Sequence, residues 1–565
     1  MKIMKSNNFI VTVLLLGLFT SCDYLDFDET NALKTKEEIY NYFNTTEQML
    51  TNVYSYMPQD LGCIANAMRD CGCDDAEFGA VEATVQDFNN GNWSSLNTID
   101  NSWTLYKGVR AANNFIADIE NVDFSRFEYD ARYKNWMRKL AYFPYEARVL
   151  RAFYFFELAR RYGDIAMPLE VLTPEEANQI GKTPFMDVIE FIVKECDEAA
   201  KHLPDSYINE PDKQLGRITK GFAMAVKSKA LLYAASALHN PTKDVQLWKR
   251  SAQAALDIIN TNLYTLEKGT KANNVKSKEV VLMRMNGENT NFELYNFPIR
   301  FVQGKRPTTR LAHSTFPSQN LVDAFETKNG YPVTLTENGW VCDDPDFNPQ
   351  KPYDNRDPRF YHAILGNGMY FKESHIETFE GGADNKSVSE GGTPTGYFLN
   401  KYIQPSTSFV PNAEVKNKHH WIIYRYAETL LTYAESMVNA FNDFNYTDNN
   451  FTHSAKWAID EVRTTAGMPE ITAATTEEFL KKLYNEWRIE FAFEDHRFWD
   501  VRRWKLAEGT QQKLYGVNIT KSGELLNFSK KLVEERVWRN CMYLYPIPQD
   551  ELFKNRNLYP QNPEW

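Results

Sequence analysis

The chain has 565 residues, a formal net charge of −12 and an aromatic content of 14%. A net acidic chain argues against non-specific nucleic-acid binding, which needs clustered Lys and Arg, and the length suits one large domain or a few small ones. Beyond the first residues no window approaches the roughly 18 uninterrupted apolar residues of a membrane span.

The N-terminus has the pattern of a secretory leader. Lys2 and Lys5 precede an uncharged, mostly apolar stretch that ends near Phe19. This stretch reaches roughly 16 Å as a helix, too short for a bilayer core. The residues "LFTS" before Cys22 resemble a bacterial lipobox, although Phe19 departs from its usual pattern. We predict a signal peptide over 1–21, lipid on Cys22 and a lipidated tether over 22–35; the alternative is an ordinary cleaved signal.

The first half of the chain is predicted to be helical. Pro144 suits the first turn of a helix, an apolar stripe follows at three- and four-residue steps, and Gly163 ends it. Another helix is predicted from a Thr219 cap to a stop at Asn240-Pro241. Large and small residues at four-residue spacing hint at tetratricopeptide-like helix pairs, although no clean 34-residue period is present.

The middle, from about 271 to 420, is rich in Gly, Pro, Asn and aromatic residues. "EVVLMRM" and "GYFLNKYIQP" are typical of short strands, and the rest is typical of long loops. Loops of this length in a compact protein usually carry function. We therefore predict a helical region over 36–270 and a second region over 271–565 that holds a loop-rich ligand face and C-terminal helices.

Helices are predicted again after residue 420. One covers "WIIYRYAETLLTYAESMVNA", and another ends at Gly467 with Pro469 beyond it. A third begins at the capping box Thr475 to Glu478 and runs through "YNEWRIEFAFEDHRFWDVRRW". The Pro-containing tail from Tyr543 is expected to be ordered coil packed on the body.

Eight segments carry a family resemblance, in order along nearly the whole chain. They are "WTLYKGVRAANNFI" (103–116), "EARVLRAFYFFELARRYGDI" (146–165), "GRITKGFAMAVKSKALLYAAS" (216–236), "NLVDAFETKNGYP" (320–332), "PYDNRDPRF" (352–360), "RYAETLLTYAES" (425–436), "RIEFAFEDHRFWDVRRW" (488–504) and "LYPIPQDEL" (544–552). Together they resemble the SusD/RagB family, surface nutrient-binding lipoproteins of Bacteroidetes that sit over a TonB-dependent transporter.

The resemblance implies a mostly α-helical fold with four tetratricopeptide-like helix pairs as scaffold and a ligand face of loops and short strands. It also implies a SusC-like TonB-dependent transporter as partner and attachment to the outer membrane through the N-terminal lipid. The acidic residues after Cys22 resemble the surface-export signal of such lipoproteins. No cofactor and no nucleic-acid partner are expected.

The densest charged motif could be taken for a catalytic site. Glu486, Glu490 and Glu494 follow one another at four-residue steps, and glycoside hydrolysis needs two carboxylates held roughly 5 to 10 Å apart. Several arginines are interleaved with these acids, and ion pairs between packed helices are the simpler interpretation. We therefore predict a structural role and no catalytic residue.

Two windows are predicted to contact ligand. In "DFNNGNWSSLNTIDNSW" (87–103), Trp93 offers a ring to the C–H face of a sugar, while Asn92 and Asn97 offer amides to its hydroxyls. The alternative is that Trp93 plugs the core.

The second window is "LYNFPIRFVQGKRPTTRLAH" (294–313), with Tyr295, Arg300 and further basic residues at Lys305, Arg306 and Arg310. No acid occurs between 294 and 322, and such a basic loop in an acidic chain can focus an anionic glycan. The alternatives are contact with the transporter and pairing with acids elsewhere in the fold.

No metal site is predicted. Cys63, Cys71 and Cys73 lack a nearby His and an evident fourth zinc ligand. "DDPDFNPQ" lacks the Gly and the final acid of an EF-hand, which leaves only a looser calcium site as an alternative. The six cysteines after Cys22 allow fifteen disulfide pairings, and their spacing dictates none.

The sequence thus predicts a surface lipoprotein that binds oligosaccharide or polysaccharide without cleaving it and passes it to a transporter. Anionic glycan, sulfated or uronic, is one option for the ligand. The alternatives are a surface glycoside hydrolase or lyase, and a peptide-binding RagB-like protein.

Overall fold

A computed structural model describes residues 35–100, 102–207, 214–269, 275–302 and 314–565. The predicted signal peptide and Cys22 lie outside these ranges, as do Lys305, Arg306 and Arg310. Thr35, at the end of the predicted tether, caps the first described helix: its hydroxyl accepts from the Glu38 N–H, and its own N–H donates to the Glu38 carboxylate at 2.7 Å.

Helices dominate the described chain. The α-helices are α1 (Lys36–Tyr40), α2 (Phe43–Tyr54), α3 (Asp87–Asn90), α4 (Leu105–Ile119), α5 (Tyr133–Leu140), α6 (Phe143–Tyr162), α7 (Pro174–Ala177), α8 (Phe185–Ala200), α9 (Lys220–Ala235), α10 (Val245–Asn260), α11 (Asn291–Asn296), α12 (Gln319–Val322), α13 (Pro358–Ala363), α14 (Tyr426–Phe441), α15 (Ala455–Ala466), α16 (Thr476–Glu490), α17 (Arg497–Arg503), α18 (Ala507–Thr510) and α19 (Gln549–Lys554). Short 3₁₀ turns lie at Arg69–Gly72, Thr84–Gln86, Ser102–Thr104, Ser125–Phe127, Ile299–Phe301, Asn540–Tyr543 and Arg556–Leu558.

The long helices pack as successive neighbours. Helix α2 contacts α4, α4 contacts α6, α6 contacts α8, α8 contacts α9 and α9 contacts α10. The next contact crosses the loop-rich middle, because α10 packs against α14, which in turn contacts α15 and α16. This stack of neighbouring helices confirms the mostly α fold with a paired-helix scaffold.

Helix α6 lies inside this stack and is buried around most of its circumference. Pro144 stands in its first turn and Gly163, at a φ of 70°, ends it, as predicted. Its charged residues are buried in pairs: Glu146 accepts from Arg217, and Glu157 pairs with Arg160 and Arg161. Buried charge is tolerated here because each group has a partner.

The strands are short and pair two by two. They are β1 (Ala76–Phe78) with β6 (Thr315–Pro317), β2 (Ile165–Ala166) with β3 (Lys182–Thr183), β4 (Val280–Arg284) with β14 (Trp421–Arg425), β5 (Glu288–Asn289) with β13 (Asn417–Lys418), β7 (Thr334–Thr336) with β8 (Gly339–Val341), β9 (Ile364–Leu365) with β12 (Phe398–Leu399), β10 (Tyr370–Phe371) with β11 (Ser374–His375) and β15 (Lys513–Ser522) with β16 (Leu525–Glu535). All of these pairs are antiparallel.

Five apolar clusters are present among the described residues, and three of them organise most of the body. The largest spans α2 to α9 and the tail, and a second joins α9 and α10 to α14, α15 and α16. A smaller cluster around Phe297, Phe371 and Phe409 supports the loop-rich middle. Within the described ranges, no helix combines the length and apolarity needed to span a bilayer.

Several predicted boundaries differ from the structure. Helix α9 ends at Ala235, before Asn240, and "WIIYR" is strand β14, so the helix begins only at Tyr426. The predicted helix through "FAFEDH" is interrupted between α16 and α17, because Phe493 and Asp495 adopt φ values of 61° and 59°. A left-handed φ interrupts the hydrogen-bond pattern of a helix. At residues other than glycine, the sequence does not announce it.

Candidate functional site

The glutamates of the dense charged motif are held by arginines from other elements. Arg425, at the start of α14, donates to Glu490 at 2.6 Å and to Glu494 at 2.9 Å, and also binds Glu279 at 2.7 Å. Arg359 of α13 donates to Glu486 and to Glu490, the latter at 2.7 Å. The interruption after α16 turns Glu494 toward Arg425. The predicted ion pairs between packed elements are therefore present.

These ion pairs fix the charge state of the glutamates. Burial alone would raise the pKa of Glu490, but Arg425 and Arg359 outweigh it and lower the pKa to about 2. The pKa of Glu494 is also lowered, since Arg425 and Lys401 overcome the effect of its burial. A glycosidase needs one carboxyl whose pKa is raised so that it can donate a proton. Neither glutamate has that property.

A cavity of about 800 Å³ adjoins this network. Its lining includes Lys401, Arg425, Glu490 and Glu494, so its floor is charged but internally compensated. Among the described residues of the lining, the one Phe, Tyr or Trp is Tyr402, which is 7% exposed. A sugar would find little aromatic surface to stack on here.

Trp93 is buried, with 1% of its surface exposed. Its ring makes edge-to-face contacts with Phe88, Tyr545 and Trp565 at centroid distances of 4.8, 4.8 and 5.0 Å. Its carbonyl accepts from Arg539 at 2.7 Å. The prediction that this ring is available for stacking is wrong, because the C-terminal tail covers it; the alternative of a core plug is correct.

The two amides beside Trp93 remain at the surface. Asn92 and Asn97 are both exposed, and Asn97 donates to the Asp87 carboxylate at 3.0 Å and to the Asn92 carbonyl at 3.1 Å. These bonds order the turn that carries both side chains. Contact of Asn92 and Asn97 with a ligand stays a prediction.

The second predicted window is also more buried than expected. Tyr295 is 8% exposed, and its carbonyl accepts from the Ser314 hydroxyl at 2.6 Å. So little of the ring reaches the surface that the predicted stacking by Tyr295 is wrong for this conformation. The residue instead joins α11 to the start of β6.

Arg300 is paired, as one of the alternatives anticipated. Its Nε and Nη2 donate to the two oxygens of Asp384 at 3.0 and 2.8 Å, and Nη2 also donates to the His375 carbonyl. Asp384 is fully buried while the Arg300 side chain is 29% exposed. Among contacts between described residues, Nη1 of Arg300 has no partner. The charge of Arg300 is thus compensated by Asp384.

An exposed aromatic residue that sequence reasoning missed pairs across a hairpin with His375, whose carbonyl accepts from Arg300. Tyr370 is 64% exposed on the β10–β11 hairpin, where its ring stands 5.5 Å from that of His375. The alternate residue, Phe371, points into the small apolar cluster beneath. The two-residue strands are too short for a periodic pattern, but "GNGMYFKESH" has the Gly and the charged turn of a hairpin.

The residues considered for metals are arranged differently from expectation. Asp344 accepts from Thr327 at 2.5 Å and from Asn329 at 3.1 Å, so it fastens its own loop. The six cysteines after Cys22 are free thiols. Cys73 lies with Asp70 and Asp75 in a group whose potential ligand atoms are within 4.8 Å of one another. Burial raises the pKa of Asp70 well above its ordinary value, and the neighbouring carboxylates of Asp75 and Asp495 raise it further.

Two family models match the chain. A model of the SusD family matches residues 278–565, and a model described as starch-binding associating with outer membrane matches residues 23–232. SusD-like protein P2 of Formosa agariphila is 24% identical over 429 residues, which cover 74% of this chain and 73% of that protein. SusD-like protein P25 of the same organism is 22% identical over 280 residues, 46% of this chain and 48% of that protein.

Solved structures share the architecture. A SusD-like protein of Bacteroides fragilis superposes with a TM-score of 0.76 at 25% identity and covers 93% of this chain and 98% of its own. A SusD-like carbohydrate binding protein of the same species gives 0.72 at 25% identity, covering 92% and 100%. A laminarin binding SusD-like protein gives 0.57 at 20% identity, covering 93% and 99%, a likeness in fold.

Proposed function

The chain belongs to the SusD family, and on that premise we propose that it is a lipid-anchored protein of the outer-membrane surface. It binds an oligosaccharide or polysaccharide and delivers it to a SusC-like TonB-dependent transporter. The observation that carries the proposal is the pair of family models, which match 23–232 and 278–565. The similarity at 25% identity to a carbohydrate binding protein supports glycan as the ligand.

The proposed binding is non-catalytic. The alternative, a surface hydrolase or lyase, would place chemistry on Glu490 and Glu494, the densest carboxylates near a cavity. Burial would raise the pKa of both glutamates, but their arginine and lysine partners lower it. Both carboxylates are already engaged in ion pairs. Purified protein incubated with its glycan should release no new reducing ends. Steady release that Glu490→Gln abolishes in a folded variant would favour the hydrolase.

The ligand surface we propose centres on the β10–β11 hairpin, and the exposed amides form a second, separate candidate contact. Tyr370 supplies an accessible ring face, and Arg300, which donates to the His375 carbonyl of the same hairpin, supplies a guanidinium. Asn92 and Asn97 supply amides that can both donate to and accept from sugar hydroxyls. Trp93 acts from beneath the turn that carries the two amides, through its contacts with Phe88 and Tyr545.

A neutral glycan fits the described residues better than an anionic one. The charge of Arg300 is matched by the buried Asp384, which cancels most of its field. The anionic option rests on Lys305, Arg306 and Arg310, which lie outside the described residues. Binding that weakens steeply with added salt would support the anionic ligand, because screening acts on charge and hardly on stacking. A peptide that co-purifies with the protein would support the RagB-like alternative.

Glycan-array binding with residues 23–565 identifies the ligand, and one substitution then tests the surface. Tyr370→Ala should weaken binding about five- to tenfold, because a stacked ring contributes about 1 kcal/mol. The matched control is Tyr129→Ala, which removes a tyrosine that is 94% exposed elsewhere. Equal affinity of both variants would move the site away from the hairpin. The absence of any glycan binding by the folded wild-type chain would refute the proposed function itself.

The anchor and the partner have separate tests. Cys22→Ala should release the protein into soluble fractions, and unchanged outer-membrane partitioning would contradict lipidation. A tagged wild-type chain should co-purify a TonB-dependent transporter from solubilised outer membranes. If the chain, expressed at its native level, co-purifies with no transporter, the proposed delivery to that partner is contradicted.

A further inference from the structure

Three potential metal ligands converge where the chain enters strand β1. Asp70 belongs to the 3₁₀ turn Arg69–Gly72, Cys73 follows it, and Asp75 immediately precedes β1. Their carboxylate and thiol ligand atoms all lie within 4.8 Å of one another. The three residues are 1%, 0% and 0% exposed, so the group is buried.

The carboxylates in this group lack the partners that buried charge requires. Neither oxygen of Asp70 has a hydrogen-bond partner among the described residues, and the same holds for Oδ2 of Asp75. The adjacent Arg69 does not serve Asp70, because it pairs with Asp100 and Asp495. A buried carboxylate without a donor or cation is strongly destabilising, so the geometry calls for a neutralising group.

The neighbouring acid shows that this segment can satisfy a buried carboxylate when its role is structural. Asp74 accepts from Arg497 at 2.9 and 3.0 Å and from Gln511 at 3.2 Å. Arg488 adds a contact to Asp74 at 3.0 Å and another to Oδ1 of Asp75 at 2.6 Å. Hydrogen-bond donors thus surround Asp74 and one edge of Asp75, while the edge facing Asp70 and Cys73 has none among the described residues.

We propose that Asp70, Cys73 and Asp75 bind one divalent cation of the zinc type. Carboxylate oxygen and thiolate sulfur are both zinc ligands, and the thiolate excludes calcium and magnesium as the preferred ion. A tetrahedral zinc ion would take these three donors and a water molecule as the fourth, and it holds its donors roughly 3.5 Å apart. Rotation of the three side chains would draw them together by about 1 Å. The Cys73 thiol, which donates to the Asp70 carbonyl at 3.2 Å, gives its proton to solvent when it binds the ion.

This ligand set differs from the one that the cysteine spacing offered. Cys63 and Cys71 are not members; Cys71 instead contacts the Thr315 hydroxyl at 3.8 Å. The ion would tie the turn before β1 to Arg488 of α16 through Asp75, and so fix the strand that pairs with β6. Its role would be to stabilise the fold, independently of the proposed glycan binding.

The test begins with the wild-type chain, residues 23–565, purified without chelator. Inductively coupled plasma mass spectrometry should find about one zinc per chain. Removal of zinc and addition of Co²⁺ should give the thiolate-to-cobalt charge-transfer absorption, because Cys73 is a ligand. A folded chain that holds no stoichiometric metal and shows no such absorption with Co²⁺ would overturn the proposal.

Variants then separate a metal ion from a bound proton. Cys73→Ala should abolish the cobalt absorption, whereas Cys196→Ala, which removes a buried cysteine of α8, should retain it. Asp70→Asn mimics a protonated carboxyl, and it should weaken Zn²⁺ binding on the order of 100-fold. Unchanged absorption in Cys73→Ala, or unchanged zinc affinity in Asp70→Asn, would overturn the assignment. If Cys73→Ala does not fold, the zinc affinity of Asp70→Asn and the cobalt absorption of the wild-type chain decide whether the proposal stands.

Discussion

Arg425→Ala would remove the cation that three buried glutamates share. The side chains of Glu279, Glu490 and Glu494 are 3%, 13% and 6% exposed, and that of Arg425 is 5% exposed. Removal of one partner from a buried ion pair costs about 3 to 5 kcal/mol, because the remaining charge stays desolvated. Arg359 and Lys401 still reach two of the glutamates, so we expect about 3 kcal/mol.

Urea unfolding of residues 23–565 at pH 7, followed by tryptophan fluorescence, measures this loss. Arg425 also lies over the Phe491 ring at 4.3 Å, and Arg425→Met keeps the apolar stem while removing the charge. The control is Arg250→Ala, whose pair with Glu190 is 42% and 51% exposed and contributes at most about 1 kcal/mol. The deficit of the Arg425 variants should shrink near pH 4, since protonation then neutralises the stranded glutamates.

The reasoning would be refuted if both Arg425 variants unfolded at the same urea concentration as Arg250→Ala. Such a result would mean that the glutamates do not depend on the arginine for their burial. They would then be open to carry chemistry, and the non-catalytic proposal would lose its main structural support.

Further outcomes follow from the same contacts. Glu490 has a pKa of about 2 in the folded chain against 4.5 ordinarily, so its stabilising contribution is complete above about pH 5 and is lost as the pH falls toward 2. The substitution Glu490→Gln should therefore flatten the acid side of the plot of unfolding free energy against pH. An unaltered plot would count against the ion pairs of Glu490. Trp93→Ala should lower the free energy of unfolding by about 3 to 5 kcal/mol. A free energy of unfolding equal to that of the wild type would indicate that the Trp93 ring is exposed. Denatured residues 23–565 should titrate six thiols with a chromogenic disulfide reagent in the absence of reductant, and a lower number would indicate a disulfide.

The helical scaffold could be predicted because its signals are local. The position of Pro144, the Gly163 stop and the Gly467 cap lie within one or two turns of the helices they bound. A structural role for Glu490 and Glu494 was also predictable, because several arginines are interleaved with these acids in the motif. The partners themselves were not, since Arg359 and Arg425 lie far away along the chain. The interruption at Phe493 was not, because neither Gly nor Pro marks it.

The burial of Trp93 was harder to predict for a physical reason. Trp93 stands among asparagines in a window with no apolar period, and its cover comes from Tyr545 and Trp565 at the far end of the chain. Burial by such distant residues leaves no local trace. The β15–β16 hairpin was not predicted, although its sequence pattern indicates one. Alternating apolar residues flank Gly523, which adopts a φ of 63°.

The packing of α10 against α14 has a consequence for how the chain can be divided. Trp248 and Ala252 of α10 belong to the same buried apolar cluster as Leu430 and Ala434 of α14. A fragment that stops at residue 270 would present the α10 face to water, and a fragment that starts at 271 would expose the complementary face of α14. Each half would associate through that face or aggregate. When the two fragments are mixed, they should form a soluble non-covalent complex, because their exposed faces belong to one hydrophobic core.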